Sequence, residues 1–136
     1  MKALTIRQPW AYAILHLGKD VENRSWRTNH RGPLLIHAAA YHERHPREAL
    51  AENMPRPPSD ESLTNIPEGS IVGIVDVVGC VKNSKSRWAQ KGSWHWVIEN
   101  PRPIRPIECK GRLGLWTPPP AVMKKLPAWV KKMDLR

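Results

Sequence analysis

Residues 70–81 read SIVGIVDVVGCV, and the reading of this stretch decides the fold class. Valine and isoleucine branch at Cβ and suit the pleated, half-buried surface of a sheet, so the run is taken as a strand, the strongest in the chain. Gly73 and Gly79 interrupt it, and glycine inside a strand marks a bend or bulge. Working outward, Leu4 and Ile6 alternate with Ala3, Thr5 and Arg7 as in a half-buried strand. Residues 34–38 read as a buried strand. Two more are expected at 94–98 and 112–116, separated by the proline-rich PRPIRP.

Helical signals are fewer. Pro9 suits a first turn, Gly18 suits the residue after a helix end, and Trp10, Ala13, Ile14 and Leu17 fall on one face between them. Pro46 starts a second helix through about residue 52. MPRPPSDESLTNIPE, residues 54–68, is rich in Pro, Ser and acids. It reads as a flexible excursion within one domain, because too little chain precedes it to bury a separate core. The tail from residue 118, PPPAVMKKLPAWVKKMDLR, is expected to hold one or two short basic helical turns. The expected class is α+β, a small β-barrel or strongly curved sheet with one or two α-helices packed outside. A length of 136 residues matches one domain.

The formal net charge is +10, and the basic excess collects at both ends around an acidic middle in residues 41–70. That asymmetry favours a polyanionic partner, most simply nucleic acid; a solvated basic face is the plain alternative. Cys80 and Cys109 are too few and too far apart for a disulfide scaffold or zinc ribbon. The N-terminus carries Arg7 and lacks an apolar run of signal-peptide length, and no segment could span a bilayer. A reduced, soluble, cytoplasmic protein without membrane attachment is expected, with no obligatory protein partner.

One stretch resists a bland reading. GKDVENRSWR, residues 18–27, is dense with charge where the chain passes from a helix to a strand. As an extended segment it places Asp20, Glu22, Arg24 and Trp26 on one side and Lys19, Val21, Asn23 and Ser25 on the other. Neither side is apolar enough for core, so the segment belongs at the surface or along a polar cleft.

QPWA (8–11), GKDVENRSW (18–26), RGPLLIHA (31–38), GSIVGIVDVVGC (69–80), GSWHWVIENPRPI (92–104) and KGRLGLW (110–116) together resemble the ASCH domain family. The resemblance runs from residue 1 to about 117 and leaves 118–136 as a basic extension, packed on the domain or trailing from it. It implies a PUA-like barrel, a module associated with RNA, with a ligand cleft between barrel and first helix and the charged motif along it. Some members look like single-stranded ribonucleases, and one branch hydrolyses the amide of acetylated cytidine. In that branch a lysine followed three positions later by threonine serves catalysis. Lys19 matches the lysine, but Glu22 stands where the threonine would be, so a hydroxyl nucleophile does not carry over.

The candidate catalytic residues are Lys19, Glu22 and Ser93, and the candidate substrate-binding residues are Arg24, Trp26, Trp10 and Arg7. Lys19 offers a phosphate contact or proton exchange, against a surface lysine capping a helix C-terminus. Glu22 and Arg24 offer a base and an anion clamp, against an exposed ion pair. Trp26 offers a stacking face; Trp10 sits on the apolar helix face and has core as its plain reading. Ser93 offers a hydroxyl, against ordinary turn chemistry. Trp94 and Trp96 read as core. His37 reads as a satisfied, partly buried histidine. His42 and His45 lack a third ligand, so no metal and no cofactor is expected. The partner is RNA or a modified nucleoside, and the protein is either a metal-independent hydrolase or a reader that does no chemistry.

Overall fold

A computed structural model describes residues 1–133. Its six strands are β1 (Ala3–Gln8), β2 (Val21–Arg24), β3 (Gly32–His42), β4 (Ser70–Val81), β5 (Trp94–Glu108) and β6 (Leu115–Trp116). They form one curled half-barrel sheet in the order β2-β5-β4-β3-β1-β6. Only β1 and β3 run parallel; the other neighbours are antiparallel. Five short helices complete the described chain: α1 (Trp10–His16), α2 (Pro46–Ala51), α3 (Asp60–Thr64), α4 (Pro120–Met123) and α5 (Ala128–Met133).

The glycines of β4 do what their placement promises. The register with β5 shifts between Ile71 and Gly73 and between Val77 and Gly79, with a third shift between Ile74 and Asp76, and such bulges bend a strand and raise its twist. The curl of the sheet follows from them.

Three expectations are corrected here. The prolines of PRPIRP do not separate two strands, because β5 runs straight through them to Glu108. Its partner β2 covers only Trp94–Val97, so the later part of β5 is an edge. An edge strand tolerates proline since one side of its backbone has no ladder to lose. Residues 54–68, for their part, are not a structureless excursion. Ser59 caps α3 by accepting from the Ser62 N–H, and Leu63 is buried with Leu50, Ala13, Val21 and Trp88. The helix is short and its apolar content slight, so periodicity alone did not reveal it. The strand expected over 112–116 is also reduced, to the two residues of β6.

The sheet is buried on both faces. On β3, Leu34, Ile36 and Ala38 join Val72, Val75, Val77, Trp96 and Ile98 in a core covered by Ala11, Ile14 and Leu15 of α1. Leu35 points the other way, to Ile71, Ile74, Ile107 and Trp116, as the period of two requires. Helix α1 is buried more widely than the one face expected of it, because Ala13 packs away from the sheet against α2 and α3. The second face of the sheet is covered by Leu126 and by Val130 of α5. Residues 118–133 therefore supply core; the last three residues of the expected extension lie outside the described residues. No helix among the described residues is long and apolar enough to cross a membrane.

Leu126 is 3% exposed, and Leu126→Ala is expected to lower the unfolding free energy by about 2–4 kcal/mol. Urea unfolding followed by circular dichroism checks this. An unchanged midpoint would show that the second face needs no cover.

Candidate functional site

The charged stretch is built by a turn. Gly18 adopts φ +78°, a left-handed conformation that glycine takes without steric cost, and the Lys19 N–H returns to the Ala13 carbonyl at 3.1 Å. The turn breaks the simple alternation expected for residues 19–26. Lys19, only 4% exposed, folds its ammonium over the start of β2, donating to the Val21 carbonyl and to Glu22 Oε1, the latter at 2.9 Å. The other Glu22 oxygen accepts from Arg24 Nε at 3.0 Å. Arg24 Nη2 also donates to the Thr5 carbonyl at 2.9 Å. A lysine and a glutamate expected on opposite sides, or at the surface, thus meet in the interior.

Burial pushes the Glu22 carboxyl upward, but the Lys19 and Arg24 cations overcome it and hold the group below its ordinary value of 4.5. Every buried side-chain nitrogen and oxygen among the described residues has a hydrogen-bond partner, so the ionic cluster is fully satisfied, as a buried one must be.

The rest of the motif fastens one wall of a cleft. Asn23 Nδ2 donates to the Trp88 carbonyl at 2.9 Å, and Asn23 Oδ1 accepts from the Gln90 N–H at 2.8 Å. The Ser86 hydroxyl donates to Asp20, and Asn53 Nδ2 donates to the Arg87 carbonyl. Residues 86–90 are thereby held against β2 and the end of α2. The cleft encloses about 750 Å³, within the usual range for small-ligand sites.

Of the residues singled out in sequence, Lys19, Glu22, Arg24, Trp26, Trp10 and Arg7 all line this cleft. Trp26 is 37% exposed and meets Trp96 edge-on, with ring centroids 4.7 Å apart. Trp10 is half-buried and bridges two parts of the core while lining the cleft. The Arg7 guanidinium stands over the Tyr41 ring. Ser93 is not brought to the cleft: it lies in the turn before β5, its N–H donating to the Gln90 carbonyl. Trp96 is fully buried and Trp94 packs on the same core. His42 pairs with Glu68 at the end of β3, and His45 precedes α2, so the two share no helix face.

Sequence reasoning missed Trp88, Gln90, Thr5, Glu52 and Asn53, which also line the cleft. Trp88 carried a usable signal, an aromatic inside the basic run KNSKSRWAQK, residues 82–91. Glu52 and Asn53 carried none, because only the docking of α2 brings them there.

The ASCH domain model matches residues 4–108. Activating signal cointegrator 1 of Homo sapiens is 34% identical over 86 residues, 60% of this chain and 15% of that protein. Activating signal cointegrator 1 of Mus musculus is 33% identical over 126 residues, 83% of this chain and 21% of that protein. The chain spans about a fifth or less of the length of these relatives.

Glu22→Gln removes the anion between two cations and is expected to cost about 3 kcal/mol at neutral pH, the low end for a broken buried pair because Arg24 keeps some solvent. The folded-state value lies below the unfolded one, so the ionised carboxyl's contribution is complete above about 4.5 and is lost as pH falls through the folded value. Thermal melts of both proteins across that range should show their difference in stability shrinking toward acid. A constant difference would mean that the charge of Glu22 contributes nothing.

Proposed function

The chain belongs to the ASCH domain family, and from that premise we propose that it binds single-stranded RNA in the cleft beside Lys19, Glu22 and Arg24. One observation carries the reading: a single cleft gathers Trp10 and Trp26 with Arg7 and Arg24. Unpaired bases offer flat faces and phosphates offer charge, and single-strand sites combine aromatic platforms with cations for that reason. The basic excess at both ends of the chain adds a longer-range attraction.

Hydrolysis is the second reading, favoured by the contact of Lys19 and Arg24 with Glu22. RNA cleavage without a metal needs a base for the 2′-hydroxyl, an acid for the leaving oxygen and a cation for the developing charge. Glu22, Lys19 and Arg24 would take those roles in that order. The geometry supports this less well than binding, because two cations lower the carboxyl and a lowered carboxyl is a weak base at neutral pH. A phosphate that drew Arg24 away would remove one of those cations and restore basicity. Hydrolysis of acetylated cytidine is the third, and Glu22 in place of a hydroxyl weighs against it.

Trp26→Ala is expected to weaken binding of a fluorescently labelled single-stranded RNA by ~1–3 kcal/mol, the usual worth of one stacked base, while the melting temperature falls only by the few degrees that the lost edge contact with Trp96 is worth. Unchanged affinity would remove the stacking role. Mass spectrometry of the RNA and of acetylated cytidine after incubation with the protein decides about chemistry. Shortened RNA or free cytidine, absent with Lys19→Ala folded by its melting curve, would establish a hydrolase; intact masses would leave a reader.

A further inference from the structure

A second cavity of about 430 Å³ opens beside the cleft. Thr5, Arg24 and Ala39 line both, so the two adjoin. The outer wall of the second cavity is the loop CKGRLG, residues 109–114, and its lining includes Arg24, Lys110 and Arg112 but no carboxylate. The main cleft differs, since Glu22 and Glu52 line it.

The loop is held in place from beneath. The Cys109 N–H donates to the Gly69 carbonyl at 3.0 Å. His37 Nε2 donates to the Cys109 carbonyl at 2.8 Å, so Nδ1 is left to accept from the Thr5 hydroxyl at 3.2 Å. Trp116 Nε1 donates to the same Thr5 oxygen at 3.1 Å. Burial pushes the His37 imidazole below its ordinary value, which keeps this neutral arrangement at neutral pH. Gly111 lies so close that a Cβ would come within 2.8 Å of both His37 Cε1 and Thr5 Oγ1. Against this fixed base Lys110 and Arg112 are exposed, with no hydrogen bond or ion pair among the described residues. Leu113 stands at the crest, 99% exposed, an apolar side chain of the kind that inserts between bases in other nucleic-acid complexes.

We infer that the 109–114 loop forms a second nucleotide subsite, in which Lys110 and Arg112 bind the phosphate joining a nucleotide in the cleft to its neighbour in the second cavity. The inference rests on the proposed RNA binding and names its ligand class: a strand of at least two nucleotides, not a free nucleoside. Arg24, lining both cavities, sits at the junction. A preformed loop binds phosphate without first being ordered, which favours affinity.

The test uses the full chain and a labelled six-nucleotide oligouridylate in fluorescence anisotropy at several salt concentrations. The double substitution Lys110→Ala with Arg112→Ala is expected to weaken binding about tenfold at low salt. It should also flatten the log–log salt dependence by about 0.7, the share of the one phosphate that the pair neutralises on a single strand. Lys124→Ala with Lys125→Ala removes the same charge from the C-terminal helices and should change both quantities much less. Equal effects from the two pairs, or none from the first, would overturn the subsite while leaving RNA binding standing. Absence of oligouridylate binding by the unaltered protein would overturn the RNA reading itself, and the subsite with it.

Discussion

Glu22 is shared. Each of its oxygens meets a cation, and one of those cations, Arg24, goes on to the Thr5 carbonyl. In the order β2-β5-β4-β3-β1-β6, β2 and β1 are not neighbours; the curl of the sheet brings them face to face across an open seam. Strand β6 pairs only with Ala3 and Leu4, so it stops short of Thr5. A side chain closes there what a backbone ladder leaves open. The half-barrel is tied at one point by Arg24, and beside that tie the cleft remains. A hydrophobic pair would bury its atoms at lower desolvation cost, but it would not give a fixed, charged rim.

Seen this way, the motif has two jobs within a few residues. Lys19, Glu22 and Arg24 tie the seam, while Asp20 and Asn23 hold the 86–90 wall. Lys19 and Glu22, the two buried charges of the stretch, are each committed to named partners, so neither is stranded in the interior. The rim of the cleft is left to Trp10, Trp26 and Arg7, and to the face of Arg24 that solvent still reaches.

Much of this was legible in the sequence because local chemistry and global fold agree there. Branched residues and glycines announced β4 and its bulges; Pro9 and Gly18 bracketed α1; the density of charge after Gly18 marked the cleft. What was illegible depended on tertiary placement. The prolines of β5 are harmless only because β2 is short, a fact of the sheet and not of the segment. Leu63 gave no periodic signal because a five-residue helix has too few turns to show one. The burial of Lys19 was hidden for the same reason: a lysine after a helix end looks solvated until the strand it folds over is known to carry its counter-ion.

The two-sided burial of the sheet has a consequence for the order of events during synthesis. Residues that form β1 leave the ribosome early, yet β1 gains its outer neighbour only when Leu115 and Trp116 have emerged, and Leu35, Ile71 and Ile74 gain their cover only with Leu126 and Val130. Until then one oily face of a nearly finished sheet stands open to water, next to a bare strand edge of the kind other chains add to. The nascent domain is thus most vulnerable to association before β6 and the two helices that follow it are in place.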